Sequence, residues 1–224
     1  MQEKRAENIE QLKRRLLRLS ALVEENTRRS VIAFRSRDRA AAVEIIKVDA
    51  EINELEIFIE EDCVELLDRT QRSPDDTRFI VAVLKINNDL ERIGDLASNV
   101  ARRVLHIGQH EQVRFPQELL TLAEYTLEMV TTSIDSFVDL DMDLARRVCE
   151  RDHEVDKLNR LMYSVVQERI VADPNQAEKL LNFLSISRYL ERIADYATNI
   201  AEDVVYIGEG RIIRHQEHNG SQPQ

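Results

Sequence analysis

Mostly apolar residues recur along the chain with a helical period. Between residues 9 and 33, and again between residues 41 and 66, they fall at alternating spacings of three and four. The members of the two series are Ile9, Leu12, Leu16, Leu19, Val23, Asn26, Ser30 and Ala33, then Ala41, Ile45, Val48, Ile52, Leu55, Ile59, Asp62 and Leu66. This spacing places one stripe of side chains along one face of a long helix, which is typical of antiparallel bundles.

Turn residues and prolines divide the chain into six such segments. A break at residues 36–38 separates the first two, with Asp38 as a helix N-cap. Ser73-Pro74 and Asp173-Pro174 each place an N-cap before a proline in the first helical turn, and residues 139–141 form a tight turn. The later helices are predicted at 74–107, 116–138, 142–170 and 174–207. The pattern therefore predicts an all-α fold of two tandem three-helix bundles, with helices of about 22–34 residues.

The ends of the third and sixth helices repeat each other. Residues 90–108 read LERIGDLASNVARRVLHIG and residues 190–208 read LERIADYATNIAEDVVYIG, which is 11 identities in 19 positions at an offset of 100. Residues 47–53 (KVDAEIN) resemble residues 150–156 (ERDHEVD) at an offset of 103. A repeat of this kind predicts internal pseudo-symmetry. We expect a first repeat at 1–108, a linker at 109–116, a second repeat at 117–208 and a flexible tail at 209–224.

The repeat preserves polar residues that packing alone does not require. Glutamate and aspartate four apart project from one helix face, and each repeat carries a second polar pair on the preceding helix. The recurring positions are Glu91, Arg92, Asp95 and Asn99, which return as Glu191, Arg192, Asp195 and Asn199; the preceding pairs are Asp49 with Asn53 and Asp152 with Asp156. Stacked carboxylates repel one another unless a metal cation or an arginine compensates them. The spacing leaves both interpretations open.

Composition narrows the class of protein further. The 224 residues include only 5 glycines and 4 prolines, too few for a turn-rich β fold. The chain has no apolar run of about 18 residues and its N-terminus is charged throughout, so we expect neither a transmembrane helix nor a secretory signal. Cys63 and Cys149 lack metal-site spacing, and two structural thiols fit a reducing cytoplasm.

Charge is unevenly distributed along the sequence. The formal net charge is −11, which argues against non-specific nucleic-acid binding. Residues 1–39 nevertheless hold 11 Lys+Arg against 6 Asp+Glu. Such a basic first helix could be an ordinary solvated face, or it could face an acidic partner or a membrane surface. In the second interpretation Arg14, Arg15 and Arg18 are candidate partner-binding residues.

Catalytic signatures are sparse. The sequence contains no GxSxG, no HExxH and no glycine-rich phosphate loop, so nucleophilic catalysis and direct nucleotide binding are not expected. A carboxylate-bridged di-iron enzyme would place Glu-x-x-His on two helices, and this chain offers one candidate, Glu150 with His153. We therefore expect no catalytic residue. A plain helical scaffold without metal is a further alternative, but it does not predict the recurring polar set.

The duplicated ERIGDxAxNVA and ERIADxAxNIA segments resemble the signature of the PhoU family, the accessory proteins of phosphate-specific transport. The resemblance covers residues 9–208. It implies a non-enzymatic cytoplasmic adaptor that restrains phosphate uptake and the phosphate-starvation response. The implied partners are the ATPase subunit of the phosphate ABC transporter and a sensor histidine kinase, so that contact with the membrane is only through partners. A homodimer is expected from the heptad seams, and a paralogue that serves another transporter or kinase is the alternative.

The same resemblance implies metal sites, one per repeat, holding iron or zinc as single ions or as clusters. The ligand chemistry also accepts Mg²⁺ or Mn²⁺. Carried over by motif, the first site draws on Asp49, Asn53, Glu91 and Asp95, and the second draws on Asp152, Asp156, Glu191 and Asp195. Asn99 and Asn199 are candidates for further ligands or for supporting donors. Because the first set has Asn53 in place of an acid, we expect its site to hold metal more weakly.

Overall fold

Six long helices account for nearly the whole fold. The structure is a computed structural model that describes residues 2–68, 73–107 and 114–211. The helices are α1 (Gln2–Ser36), α2 (Arg39–Asp68), α3 (Pro74–His106), α4 (Gln117–Asp139), α5 (Met142–Ala172) and α6 (Ala177–Glu209), with a single 3₁₀ turn, Pro174–Gln176, before α6. The predicted all-α class with six helices is confirmed.

Three predicted helix starts are confirmed by their caps, whereas α6 begins at Ala177 instead of the predicted Pro174, because residues 174–176 form a 3₁₀ turn. Asp38 accepts a hydrogen bond from the backbone N–H of Ala41 at 2.9 Å, and Ser73 accepts one from Asp76 at 3.1 Å. Asp141 caps α5 in the same way at 2.9 Å, directly after Leu140, whose φ of 52° reverses the chain in the left-handed region. These side-chain acceptors satisfy N–H groups that the first turn of a helix leaves without partners.

Each repeat forms a bundle, and the two bundles pack through α3 and α6. Helices α1, α2 and α3 contact one another, as do α4, α5 and α6. The α3–α6 contact is antiparallel, because Lys85 near the start of α3 reaches Asp203 near the end of α6 at 3.2 Å, while Arg103 reaches Tyr189 at 3.3 Å. The Asp203 side chain is 2% exposed and the Lys85 side chain 35%, so this ion pair between the repeats joins a buried carboxylate to a half-buried ammonium group.

The predicted stripes lie in the core. Leu12, Leu16, Leu19 and Val23 are buried on α1. The polar members of the stripes each form at least one hydrogen bond or ion pair. Asp62 of α2, for example, pairs with Arg15 of α1 at 2.6 Å. The stripes therefore account for the packing of α1 against the rest of the first bundle.

Close helix packing explains one difference between the repeats. A Cβ added to Gly94 of α3 would lie 2.9 Å from Cδ1 of Ile52 on α2. The second repeat has Ala194 at the position of Gly94 and Val155 at the position of Ile52. The larger residue on one helix is thus matched by the smaller residue on the other in each repeat.

Three aromatic rings join the bundles where the chain enters the second repeat. Phe115 lies just before α4, 4.6 Å from the ring of Phe34 on α1 and 5.1 Å from that of Phe183 on α6. The Arg37 guanidinium lies 4.8 Å above the Phe115 ring. Residues 109–113 of the predicted linker and 212–224 of the predicted tail lie outside the described residues, and the domain limits stay a prediction. No described helix is long and apolar enough to cross a bilayer.

Candidate metal centre

Three carboxylates of the second repeat converge between α5 and α6. Asp156 projects from α5, Glu191 and Asp195 project from α6, and one oxygen of each lies within 4.8 Å of the others. Among the described residues, this is the one group of three acidic, histidine or cysteine side chains that meets this criterion. The α6 pair is close because residues four apart stack on one helix face.

Burial and mutual repulsion disfavour three negative charges in this cluster. Loss of hydration among protein atoms, followed by repulsion from Glu191, Asp152 and Asp156, raises the pKa of Asp195 from 3.8 to about 7. The pKa of Glu191 is also raised, first by burial and then by Asp156. The nearby guanidinium of Arg192 opposes the shift at Asp195 only weakly. At neutral pH the cluster therefore favours a bound proton or a bound cation.

Asp152 belongs to the same cluster and is held by a second residue of the repeat. The Thr198 hydroxyl of α6 donates to its carboxylate at 3.2 Å. Asp156 accepts from Arg160 at 3.3 Å on the exposed side of α5. Asn199 is half-buried on α6, one turn beyond Asp195. All four predicted acids of the second repeat thus lie on the facing sides of one helix pair.

The first repeat also carries acids between α2 and α3, but no three of those that the structure describes meet the 4.8 Å criterion. The pKa of Glu91 is raised by burial and then by Asp95, with smaller contributions from Glu56 and Asp49, while Arg92 opposes them. The Ser98 hydroxyl donates to Asp49 at 3.1 Å, as Thr198 donates to Asp152 in the second repeat. Asp49 and Asp95 therefore lie close enough to Glu91 to interact with it electrostatically, and their role as metal ligands stays a prediction.

The negative charge of the first cluster is partly compensated by residues of the same repeat. Asn53 is exposed and contributes no carboxylate where the second repeat has Asp156. Arg102 approaches Asp49 to 3.9 Å and donates to Asn99 at 2.9 Å, so the Asn99 oxygen is already engaged. The second repeat has Glu202 in place of Arg102. The demand for an external cation is therefore greater in the second repeat.

The spacing left two ways to compensate the stacked carboxylates, a metal cation or an arginine, and the two repeats differ in this respect. Arg92 lies 3.5 Å from Glu91, so an arginine does accompany the first cluster. Arg192 instead donates to the hydroxyl of Tyr196 at 3.4 Å. Ion pairing with the adjacent arginine thus describes the first cluster better than the second.

The sequence argument missed three kinds of contributor to the acidic clusters. Glu56 follows Asp49 by seven residues, which returns it to the same face of α2, and this spacing was visible in the sequence. Ser98 and Thr198 preserve a hydroxyl across the repeats, and that was the available signal for their hydrogen bonds to the aspartates. Arg102 carried no signal, since its counterpart in the second repeat is an acid.

The donors present fit a metal ion in the second repeat. Carboxylate oxygens are ligands for Mg²⁺, Mn²⁺, iron and Zn²⁺, so the donor set does not select one of these. The pKa values of Glu191 and Asp195 are raised even though Arg188 and Arg192 act on Glu191, and Arg192 on Asp195, in the opposite direction, so these arginines compensate the negative charge only in part. A cation held by Asp156, Glu191 and Asp195 would supply the remaining positive charge.

The arginines predicted to bind a partner are engaged within the chain. Arg15 pairs with Asp62 at 2.6 Å and Arg18 pairs with Glu51 at 3.2 Å, both on α2. Arg14 pairs with its own helix through Glu10 at 3.3 Å. These are exposed or half-exposed pairs, and their role toward a partner stays a prediction.

Known proteins resemble the chain over most of its length. The family model "PhoU domain" matches residues 16–104 and 119–204. The phosphate-specific transport system accessory protein PhoU homolog of Pseudomonas aeruginosa is 35% identical over 208 residues, covering 92% of this chain and 86% of the relative. The homolog of Aquifex aeolicus is 32% identical, covering 93% of this chain and 94% of the relative.

Solved structures agree with these sequence matches. The crystal structure of PhoU from Pseudomonas aeruginosa aligns with a TM-score of 0.89 at 34% identity, over 92% of this chain and 99% of that one. The phosphate transport system regulatory protein PhoU from Streptococcus pneumoniae aligns with a TM-score of 0.82 at 27% identity, over 93% of this chain and 99% of that one. The two matched segments fall on the two helical bundles.

Proposed function

Because the chain belongs to the PhoU family, we propose that it is a non-enzymatic, cytoplasmic regulator of phosphate homeostasis. In this role it links the phosphate ABC transporter to a sensor histidine kinase, and it restrains phosphate uptake and the starvation response when phosphate is plentiful. The observation that carries the proposal is the match of both repeats to the PhoU model, since it spans most of the chain. Names of relatives as phosphate-specific transport accessory proteins support the same assignment.

The acidic clusters are the proposed regulatory elements. A cation held by Asp156, Glu191 and Asp195 would neutralise the second cluster and tie α5 to α6, because the ligands come from both helices. Thr198 would orient Asp152 beside it. Arg102 reduces the need for metal in the first cluster, so we assign the tighter site to the second repeat.

Metal content tests this assignment directly. The purified chain should hold iron or zinc by elemental analysis, and Asp156→Asn/Glu191→Gln/Asp195→Asn should lose more of it than Asp49→Asn/Glu91→Gln/Asp95→Asn. Glu168→Gln/Glu178→Gln is the matched control, since both acids are exposed on α5 and α6. Equal metal in all four proteins would remove the clusters from the proposal.

The regulatory role is tested in the source organism. Deleting the gene should switch on an alkaline phosphatase reporter in ample phosphate, because the kinase would lose its restraint. The intact gene should silence the reporter again, as should the Glu168→Gln/Glu178→Gln control. A reporter that stays silent after deletion would favour a paralogue that serves another transporter or kinase. Restored silencing by the second-cluster triple variant would show that regulation does not need this metal site.

A further inference from the structure

The outer face of α2 is both apolar and acidic in its C-terminal half. Ile57, Phe58 and Val64 are 53%, 46% and 58% exposed, although burial of such side chains is favourable. Acidic side chains surround them. We call this set the acidic face of α2; it comprises Ile57, Phe58, Val64, Glu54, Glu60, Glu61, Glu65 and Asp68.

The charge on this part of α2 has one sign. Residues 48–68 contain nine aspartates and glutamates and no lysine or arginine. Arg15 and Arg18 pair with Asp62 and Glu51, which lie along the border with α1. Ile57 and Val64 instead line a shallow groove on the side of α2 away from those pairs; its other lining residues are Glu60, Glu61, Glu65 and Asp68. The face therefore presents two apolar contacts, one heptad apart, between rows of carboxylates.

The second repeat shows that packing does not require this composition. Its α5 occupies the position of α2, and the offset of 103 places Arg160 where the first repeat has Ile57 and Gln167 where it has Val64. Glu54 and Glu60 are likewise replaced by Lys157 and Tyr163. Helix α5 packs in its bundle as α2 does, yet its outer face is mixed in charge. The acidic face is thus a property of one repeat only.

We propose that the acidic face of α2 is a docking surface for a cationic amphipathic helix of a partner protein. Lysine and arginine along such a helix complement the carboxylate rows, and apolar residues one heptad apart match Ile57 and Val64, about 10 Å apart along the axis. The acidic charge repels nucleic acid and anionic lipid surfaces, so a protein segment is the occupant that the chemistry selects. The difference between repeats lets this partner distinguish the first bundle from the second.

The acidic face of α2 would be one partner-binding surface of the proposed adaptor. This proposal rests on the adaptor role only because that role requires a partner protein. A direct binding experiment separates the two. The probe is a fluorescent synthetic helix of about five turns with leucine one heptad apart and lysine and arginine on both flanks. A peptide of the same composition in scrambled order is its control. Fluorescence anisotropy with the full chain gives Kd at low and high salt, independently of any phosphate reporter.

Three variants make the test specific. Ile57→Ser/Val64→Ser should weaken binding of the ordered peptide about tenfold or more, because it removes the apolar contacts. Glu60→Gln/Glu61→Gln/Asp68→Asn should weaken it and reduce its dependence on salt. The matched control is Leu161→Ser/Tyr163→Ser, which removes exposed apolar side chains from the corresponding face of α5 and should leave Kd within about twofold. Circular dichroism checks that each variant is folded.

Several results would overturn the inference. The scrambled peptide could bind as tightly as the ordered one, which would reduce the face to a diffuse charge effect. The α5 control could lose as much affinity as the α2 variant, which would remove its specificity. Sedimentation could show a dimer that Ile57→Ser/Val64→Ser dissociates, in which case a second copy of this chain covers the face.

Discussion

Replacing Asp195 with asparagine should stabilise the metal-free protein at pH 8. Asp195 stands among Glu191, Asp152 and Asp156, and its pKa is raised from 3.8 to about 7 by lost hydration and by these neighbours. As the pH rises through this interval, the unfolded chain releases the proton before the folded chain does, so stability falls. Above pH 7 the folded protein carries the full repulsion, which the amide of asparagine does not contribute.

The expected gain follows from the size of that pKa difference. About three pH units correspond to about 4 kcal/mol for a fully buried group. Asp195 is an exposed residue, so solvent screening reduces this free energy to about 1–2 kcal/mol. For a chain of this length, the melting temperature should then rise by about 2–8 °C.

Differential scanning fluorimetry in chelator, at pH 5 and at pH 8, measures the effect. The gain of Asp195→Asn over the unmodified chain should be largest at pH 8 and should shrink to a fraction at pH 5. Asp95→Asn is the matched control, because Asn53 already relieves the first cluster. Adding metal should reverse the order, since a ligand bound to the folded state stabilises it by mass action and the variant lacks one donor. A lower melting temperature for the metal-free variant at pH 8, or a gain that does not depend on pH, would refute the reasoning.

Three further predictions concern packing. Lys85→Met should lower the free energy of unfolding in urea by about 2 kcal/mol, because it removes the ammonium partner of a buried carboxylate on α6; an unchanged midpoint would contradict this. Gly94→Ala should cost about 1 kcal/mol through its clash with Ile52, and adding Ile52→Val should recover it, since alanine is the better helix former; no recovery would show that the clash lies elsewhere. The Cys63 thiol, whose pKa is raised to about 12 chiefly by burial, should react with a thiol reagent at pH 8 only after unfolding, as tested in Cys149→Ser; prompt labelling of the native chain would count against the buried position.

Much of the fold was predictable because its determinants are local. Stripes at spacings of three and four fixed the helices, and side chains such as Asp38, Ser73 and Asp141 fixed where they begin. The pairing of α3 with α6 was not predictable in this way. Both helices are apolar on several faces, and no periodicity indicates that Lys85 meets Asp203.

The sequence identified the acidic residues of the candidate site, but it did not show which positive side chains lie close enough to compensate their charge. The repeat exposed the acid pairs, because recurrence of polar residues is a stronger signal than any single pair. Whether a cation is needed depends on neighbours from other turns, such as Arg102 beside Asp49. A guanidinium can reach an acid from several helical positions, so its partner is decided by the rotation of the helices.

The α3–α6 contact also bears on how the chain is made. About 100 residues separate the paired segments, which at about 5–20 residues per second amounts to about 5–20 s of synthesis. The first bundle can close on the ribosome during that interval, since α1, α2 and α3 contact one another without any element of the second repeat between them. Until α6 has been synthesised, the side of α3 that later contacts it is exposed to solvent. Lys85 and Arg103 lie on that side of α3. Their charges keep this exposed surface hydrated until the second repeat has been synthesised.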